Sequence, residues 1–308
     1  MSFIRHNPAF AGQIAALYHL KPGDLFLDLT LGDGRHSQEA LEAGARVVSV
    51  DVDEDSITRA VNFLLGKYSP VIVRPNTINS VVPPDFIWLI IHANFTVIGS
   101  LAKQYALPLF DGIVADLGTS QNQLAIAERG FSFNLEGPLD MRLDTSLGVT
   151  AADLVNVLST TELTDLLLLA DEYQGHAIAK AIVTARKKTP IKTTGELAKI
   201  VTGVKRVTSG KINPATKTFM ALRMAVNLER ESLSLMLPQT PDLLASGGTL
   251  GVISFHSGED RIVKHFMKQK QKEGILRVVN VKPIKPDQNE IQTNPKVRSA
   301  KLRLAQKH

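Results

Sequence analysis

The chain has 308 residues, 35 Lys plus Arg against 30 Asp plus Glu, 44% hydrophobic residues and no cysteine. That apolar share supports a sizeable core and excludes wholesale disorder, and the longest apolar run of the first third, FIWLII at 86–91, is far short of the ~20 residues of a membrane span. Without cysteine there are no disulfides, thiolate zinc sites or thiol nucleophiles, and with no signal-peptide layout at the N-terminus a cytoplasmic protein without membrane association is expected.

In chain order, LFLD at 25–28 reads as a first buried strand, set off by Pro22-Gly23 and leading into a glycine turn. A helix follows over about 37–42 and ends at Gly44, then RVVSV at 46–50 forms a second strand closed by Asp51. The spacing of Ile57, Val61 and Leu64 predicts a helix over 56–65. Residues 66–84, with their prolines, read as an inserted loop, after which 86–91 and 112–115 supply two more buried strands. Alternating strands and helices imply a mostly parallel sheet. From about 150 to 211 the pattern is helical, with capping boxes at Ser159/Glu162 and Thr193/Glu196. Asn213-Pro214 opens a predicted long helix to 237, and TLGVISF at 249–255 returns to strand before another helix from Glu259. The βα pattern is therefore interrupted by a helical block and then resumed.

Charge is uneven along the chain. Residues 180–217 carry a net charge of +9 and residues 282–308 carry +5, so the remainder is acidic by nine. Two separated basic segments on an acidic body point to a polyanion, with RNA or DNA phosphate the obvious candidate.

Three clusters carry chemistry. The first is the turn DLTLGDGRHS at 28–37, where a Gly-x-Gly loop lets backbone amides approach a ligand. Asp51, seventeen residues past Gly34, stands where a carboxylate binds ribose hydroxyls. A nicotinamide enzyme would satisfy the same geometry. However, Ser37 replaces the third glycine of the dinucleotide fingerprint, and Asp28 suits a cationic ligand better than a pyrophosphate, which favours S-adenosylmethionine. The second is the strand ending in Asp116, which places a carboxylate where substrate meets cofactor, with a helix cap as the structural alternative. The third is SFHSGEDR at 254–261, where Ser254 and His256 follow a late strand. No His/Asp/Glu grouping has spacing that predicts a metal.

These motifs, with RGFSF at 129–133, GPLDMR at 137–142, NPATKTFMALRMAVN at 213–227 and NPKVRSAKLR at 294–303, resemble the bacterial 16S ribosomal RNA cytosine-N4 methyltransferases known as RsmH or MraW. The resemblance implies a class I, Rossmann-like α/β methyltransferase fold with an inserted all-helical domain. The expected boundaries are 1–123 with 214–308 for the methyltransferase domain and 124–213 for a helical substrate-binding insert. It implies methyl transfer from S-adenosylmethionine to the exocyclic amine of a cytidine in the decoding region of the small-subunit RNA. Carried over by position, it assigns cofactor contacts to Gly34, Arg35, His36, Asp51, Phe95, Asp116 and Gln123. The chain departs from the family pattern at Arg35, at Thr119-Ser120-Gln121 and at Gly258, and Arg35 is expected to crowd the cofactor loop.

Methylation at pyrimidine carbon 5 normally needs a cysteine, so displacement at an amine, oxygen or purine nitrogen remains. Attack by a delocalised amine needs a proton acceptor, for which Asp116 ranks first and the Ser254/His256 group second. Arg186, Lys187, Lys188, Lys205 and Arg206, with Lys296, Arg298, Lys301 and Arg303 of the tail, are the expected phosphate contacts; the alternative is that some of them, Arg298 and Arg303 especially, pack against the body and hold the tail down. An RNA-binding assembly factor without catalysis is the alternative reading. A monomer and a homodimer are both compatible with the sequence.

Overall fold

The computed structural model describes residues 7–75, 82–205 and 213–308. The strands are β1 (Leu25–Asp28), β2 (Arg46–Asp51), β3 (Val71–Val73), β4 (Trp88–His92), β5 (Phe110–Asp116), β6 (Leu244–Ser254), β7 (Leu276–Val278) and β8 (Lys301–Lys307). They form one sheet in the order β3-β4-β2-β1-β5-β6-β8-β7, parallel except that β8 runs antiparallel to both of its neighbours.

Strand residues alternate between two apolar clusters, one on each face. Leu25, Leu27, Val48, Val50, Leu89, Ile91, Ile113 and Val252 enter one. Phe26, Val47, Trp88, Ile90, Val114 and Ile253 enter the other. A sheet buried on both faces is why these strands read as continuous apolar runs without polar alternation. All of the parallel strands from β4 to β6 end at the same edge: Asp28 lies beside Ser49 and Val114, Asp51 beside His92, and Asp116 beside Ile253. Polar side chains therefore gather at the carboxyl edge, where open α/β sheets bind ligands.

Two sequence expectations change here. The stretch 66–84 is not wholly loop, because Val71, Ile72 and Val73 pair in parallel with β4 as an edge strand. Its short apolar run is hidden among prolines. The helix expected to run from 213 to 237 is two helices, Thr216–Val226 and Glu229–Met236, separated by Leu228 in the left-handed region at φ 48°. The apolar spacing passes through this break, so periodicity alone does not reveal it.

The chain divides into two units, residues 7–120 with Glu231–His308, and Gln121–Arg230. The second has its own core, in which Phe131, Leu139, Val155, Leu163, Ile178, Leu197 and Phe219 are buried together. Its second boundary falls later than the expected 213/214, because helix Thr216–Val226 buries Phe219, Ala221, Leu222 and Met224 in this helical core. The capping boxes expected at Ser159/Glu162 and Thr193/Glu196 are formed, and Thr150/Asp153 makes a further one. The RGFSF and GPLDMR motifs are wedged together. A β-carbon on Gly130 would sit 2.1 Å from the Pro138 carbonyl oxygen, so only glycine fits. Among the described residues no helix is long and apolar enough to cross a membrane.

Candidate functional site

The glycine turn after β1 is held from both sides. Leu29 donates its amide to Val114, Leu31 to Val50, and Gly34 to Leu31 at 2.8 Å. Gly34 lies at φ 82°, and a β-carbon there would stand 3.0 Å from that of Ala60, so both conformation and close packing require glycine. Helix Arg35–Glu42 starts directly after it. Beneath the turn runs a buried relay. Trp88 Nε1 donates to Ser49 Oγ at 3.0 Å, the Ser37 and Ser49 hydroxyls lie 2.8 Å apart, and Ser37 donates to Asp28 at 2.7 Å. Asp28 is fully buried, and burial pushes its carboxyl up against the opposing effects of His36, Ser37 and the Thr30 amide. Asp28 thus anchors the loop from below. Ser37, which stands where the dinucleotide fingerprint has its third glycine, is the connector.

Asp51 closes β2 and accepts one backbone hydrogen bond on each oxygen, from Gly32 at 2.8 Å and from Asp53 at 2.9 Å. Each carboxylate oxygen keeps capacity for a second donor, as two vicinal hydroxyls would supply. Burial pushes its pKa up to about 6, with the Asp53 and Gly32 amides opposing that rise and the charges of Asp53 and Asp28 adding to it.

Asp116 ends β5, and its Oδ2 lies 3.3 Å from His36 Nε2. The nitrogen facing a carboxylate must carry a proton, so His36 donates. Burial works against the imidazolium, but the Asp116 hydrogen bond and charge, followed by Asp28 and Glu39, leave the His36 pKa raised. Two buried atoms of this pair, His36 Nδ1 and Asp116 Oδ1, have no hydrogen-bond partner. Such groups cost free energy unless they serve a ligand. The pair joins two of the expected cofactor residues and supplies a proton acceptor held at a fixed orientation.

Other expected residues are placed differently. Arg35 does not fold over the loop. Its guanidinium donates to Gln38 at 2.8 Å and Asn7 at 3.3 Å and lies 5.6 Å from the Phe63 ring. Phe95 follows β4 in a single 3-10 turn (Phe95–Val97) and packs partly buried against the core. Gln123 is buried on the short helix Gln121–Ala125 of the helical unit. Ser254 is buried, its hydroxyl 3.5 Å from the Lys301 carbonyl. His256 caps helix Ser257–Lys272: its Nδ1 accepts from the Gly258 and Glu259 amides at 3.2 and 3.4 Å, and its Nε2 lies 3.1 Å from Glu259 Oε1. Local helix capping therefore occupies one ring nitrogen of the second candidate acceptor.

The basic residues separate into two kinds. Arg186 donates to the Val155 carbonyl at 2.7 Å, and Lys205 pairs with the buried Glu172 while donating to the Pro214 carbonyl at 2.9 Å. Arg303 is buried and holds Asp260 at 2.6 Å, with Lys301 3.6 Å from the same carboxylate. These four hold the fold together, which corrects the phosphate reading of Arg186, Lys205 and Lys301 and matches the packing alternative for Arg303. Lys187, Lys188, Lys296 and Arg298 are exposed. Arg206 lies outside the described residues.

A parallel sheet with one reversed strand inserted near its end, a glycine turn after β1 and carboxylates closing β1, β2 and β5 define a class I methyltransferase fold. The MraW methylase family model matches residues 3–308, and the chain belongs to that family. The Ribosomal RNA small subunit methyltransferase H of Thermomicrobium roseum is 39% identical over 323 residues, covering 98% of this chain and 93% of that protein. The protein of the same description from a Cyanothece species is 40% identical over 305 residues, covering 98% and 94%. Among solved structures, an rRNA methylase from Streptococcus thermophilus aligns over 99% of both chains at 10% identity and a TM-score of 0.44.

Proposed function

We propose that this chain methylates small-subunit ribosomal RNA, using S-adenosylmethionine to modify the exocyclic N4 amine of a cytidine in the decoding region. The observation that carries the reading is the His36–Asp116 pair at the carboxyl edge, with one carboxylate oxygen left unpartnered beside the glycine turn and Asp51. Family membership and the curated relatives described as Ribosomal RNA small subunit methyltransferase H support it.

The residues fit the cofactor. Asp51 has acceptor capacity for the ribose hydroxyls, the Gly34 turn permits close backbone approach, and the unpartnered Asp116 oxygen favours a cationic ligand. When bound, S-adenosylmethionine supplies an electrophilic methyl group on sulfur. The amine that takes this methyl group would shed one proton, for which Asp116 would be the acceptor. Asp116 Oδ1 accepts an amine hydrogen and draws the nitrogen lone pair out of conjugation. His36 fixes the direction of Asp116 through their 3.3 Å contact, so orientation provides much of the acceleration. The Ser254/His256 group stands second as acceptor. Exposed basic residues of 180–217 and 282–308 contact RNA phosphates.

Mass spectrometry of small-subunit RNA from a strain lacking the chain tests the reaction and the nucleotide together. Loss of one N4-methylcytidine mark, restored by the wild-type chain and not by Asp116→Asn, is the expected result. An unchanged modification profile would instead favour an assembly factor without catalysis. In single turnovers at saturating cofactor, wild-type rates for both Asp116→Asn and His256→Ala would sink the acceptor assignment.

A further inference from the structure

The helical unit holds one aromatic side chain far out in solvent. Tyr173 is 83% exposed, the highest exposure of any large hydrophobic side chain among the described residues. The turn that carries it is firmly built. Asp171 occupies the left-handed region at φ 54°, a conformation non-glycine residues rarely adopt. Glu172 beside it is buried, paired with Lys205, and its Oε1 accepts the Gln174 amide at 3.2 Å. The backbone closes with Glu172 donating to Leu167 at 3.2 Å and Gly175 donating to Glu172 at 2.9 Å. Lys217, from the neighbouring helix Thr216–Val226, donates to the Asp171 carbonyl at 2.7 Å and stands 5.2 Å from the Tyr173 ring centroid. A buried ion pair and a left-handed residue thus fix the turn that carries an aromatic ring which buries little itself.

We propose that Tyr173 is a stacking platform for an unpaired base of single-stranded RNA, with Lys217 polarising the ring and facing the adjacent phosphate. The proposal rests on the RNA-substrate reading and adds a contact that neither the cofactor site nor the basic tail supplies. A base stacks on an aromatic face whatever its sequence, so such a platform orders single strands and ignores duplexes. Charge is what fits a nucleic acid here, since Lys180, Lys188 and Lys199 outnumber Glu196 along the neighbouring groove. Helix Gly175–Arg186 begins two residues after Tyr173, and exposed Lys180, Lys188 and Lys199 line a groove of about 690 Å³ whose walls include Ala177, Ala181 and Ile200.

The test is fluorescence anisotropy with the full chain, a labelled mixed-sequence 20-nucleotide single-stranded RNA and the corresponding duplex. Tyr173→Ala and Tyr173→Leu are expected to weaken single-strand binding about tenfold, the loss of one stacked base. Tyr173→Phe stays within twofold of wild type, and duplex binding is unchanged in all three. The slope of log affinity against log salt stays constant for the Tyr173 variants and falls by about 0.7 for Lys217→Ala, as one lost phosphate contact requires. Thermal midpoints should not move for Tyr173→Ala. Wild-type single-strand affinity in that variant, or an equal loss in Tyr173→Phe, overturns the platform while leaving the RNA reading intact. Unchanged RNA binding together with a new monomer–dimer difference between wild type and Tyr173→Ala also overturns it, in favour of a protein contact. A wild-type chain that binds neither probe overturns the platform, and the RNA-substrate reading is then decided by the modification profile.

Discussion

Cofactor affinity should depend on pH through Asp51, and the size of the effect follows from its burial. Asp51 has a pKa of about 6 against an ordinary 3.8, chiefly because its carboxylate is removed from water. A carboxyl raised in the folded state favours the protonated form, so its contribution to stability is present at low pH and lost as pH rises from about 4 to 6. The full shift corresponds to about 3 kcal/mol. Ribose hydroxyls donate to the ionised form, so binding must expel the proton wherever the free protein holds one. The apparent Kd then scales as one plus ten to the power of pKa minus pH, which weakens binding about tenfold at pH 5 and negligibly at pH 7. Isothermal titration of S-adenosylmethionine at pH 5, 6 and 7, in buffers of different ionisation heat, reads both the affinity and the released proton. His36 also titrates upward of its usual range and would repel a sulfonium when charged. S-adenosylhomocysteine, which has the ribose and no sulfonium, separates the two: the Asp51 effect appears with both ligands, the His36 effect with the first alone. Asp51→Asn should bind weakly and lose the dependence common to both. Equal affinity at pH 5 and 7 for wild type, or a common dependence that survives Asp51→Asn, refutes the reasoning.

Gly34→Ala should cost roughly 1–2 kcal/mol of stability from the left-handed backbone, with Ala60 contact adding to it and cofactor affinity falling; a denaturant melt and a titration check both. His256→Ala removes a helix cap and should destabilise by about 1 kcal/mol, so its melt must be compared with its methylation rate before any loss of rate is read as chemistry. Lys205→Ala leaves Glu172 buried without its cation and should lower stability by roughly 3–5 kcal/mol. Lys187→Ala with Lys188→Ala should leave the melting temperature in place and reduce the salt slope of RNA affinity by about 0.7–0.9 per lost phosphate contact. If the lysine pair melts early and Lys205→Ala does not, the division of basic residues into supporting and RNA-facing sets is wrong.

What the sequence discloses and what it hides follows from the range of each interaction. The β1 turn, Asp51 and the Ser159 and Thr193 caps are legible because their partners lie within a few residues or at a fixed offset between adjacent strands. The edge strand Val71–Val73 is not, since three residues carry too little pattern to stand out against flanking prolines. The break at Leu228 is invisible to periodicity, which senses the buried face and not the backbone angle. His256 as a helix cap escapes the usual signature, which favours Ser, Thr, Asp and Asn, although Glu259 at the third helical position is the half of a capping box that could have given it away.

Charge is the instructive case, because a count along the chain cannot see partners brought in by folding. Lys205 meets Glu172 across 33 residues, and Arg303 meets Asp260 across 43. Both basic residues lie in segments of strong positive charge, and both are consumed by buried or half-buried carboxylates. The +9 and +5 of the two segments are thus upper limits on what faces a polyanion. In the helical unit the exposed basic residues include Lys180 on helix Gly175–Arg186, Lys187 and Lys188 just past its end, and Lys192 and Lys199 further along the chain. Separating exposed cations from the basic residues tied into the fold gives a phosphate-facing surface a direction that net charge alone does not have. A substitution series along that helix should therefore change salt dependence step by step, whereas the same number of substitutions at Arg186, Lys205 and Arg303 should change melting temperature instead.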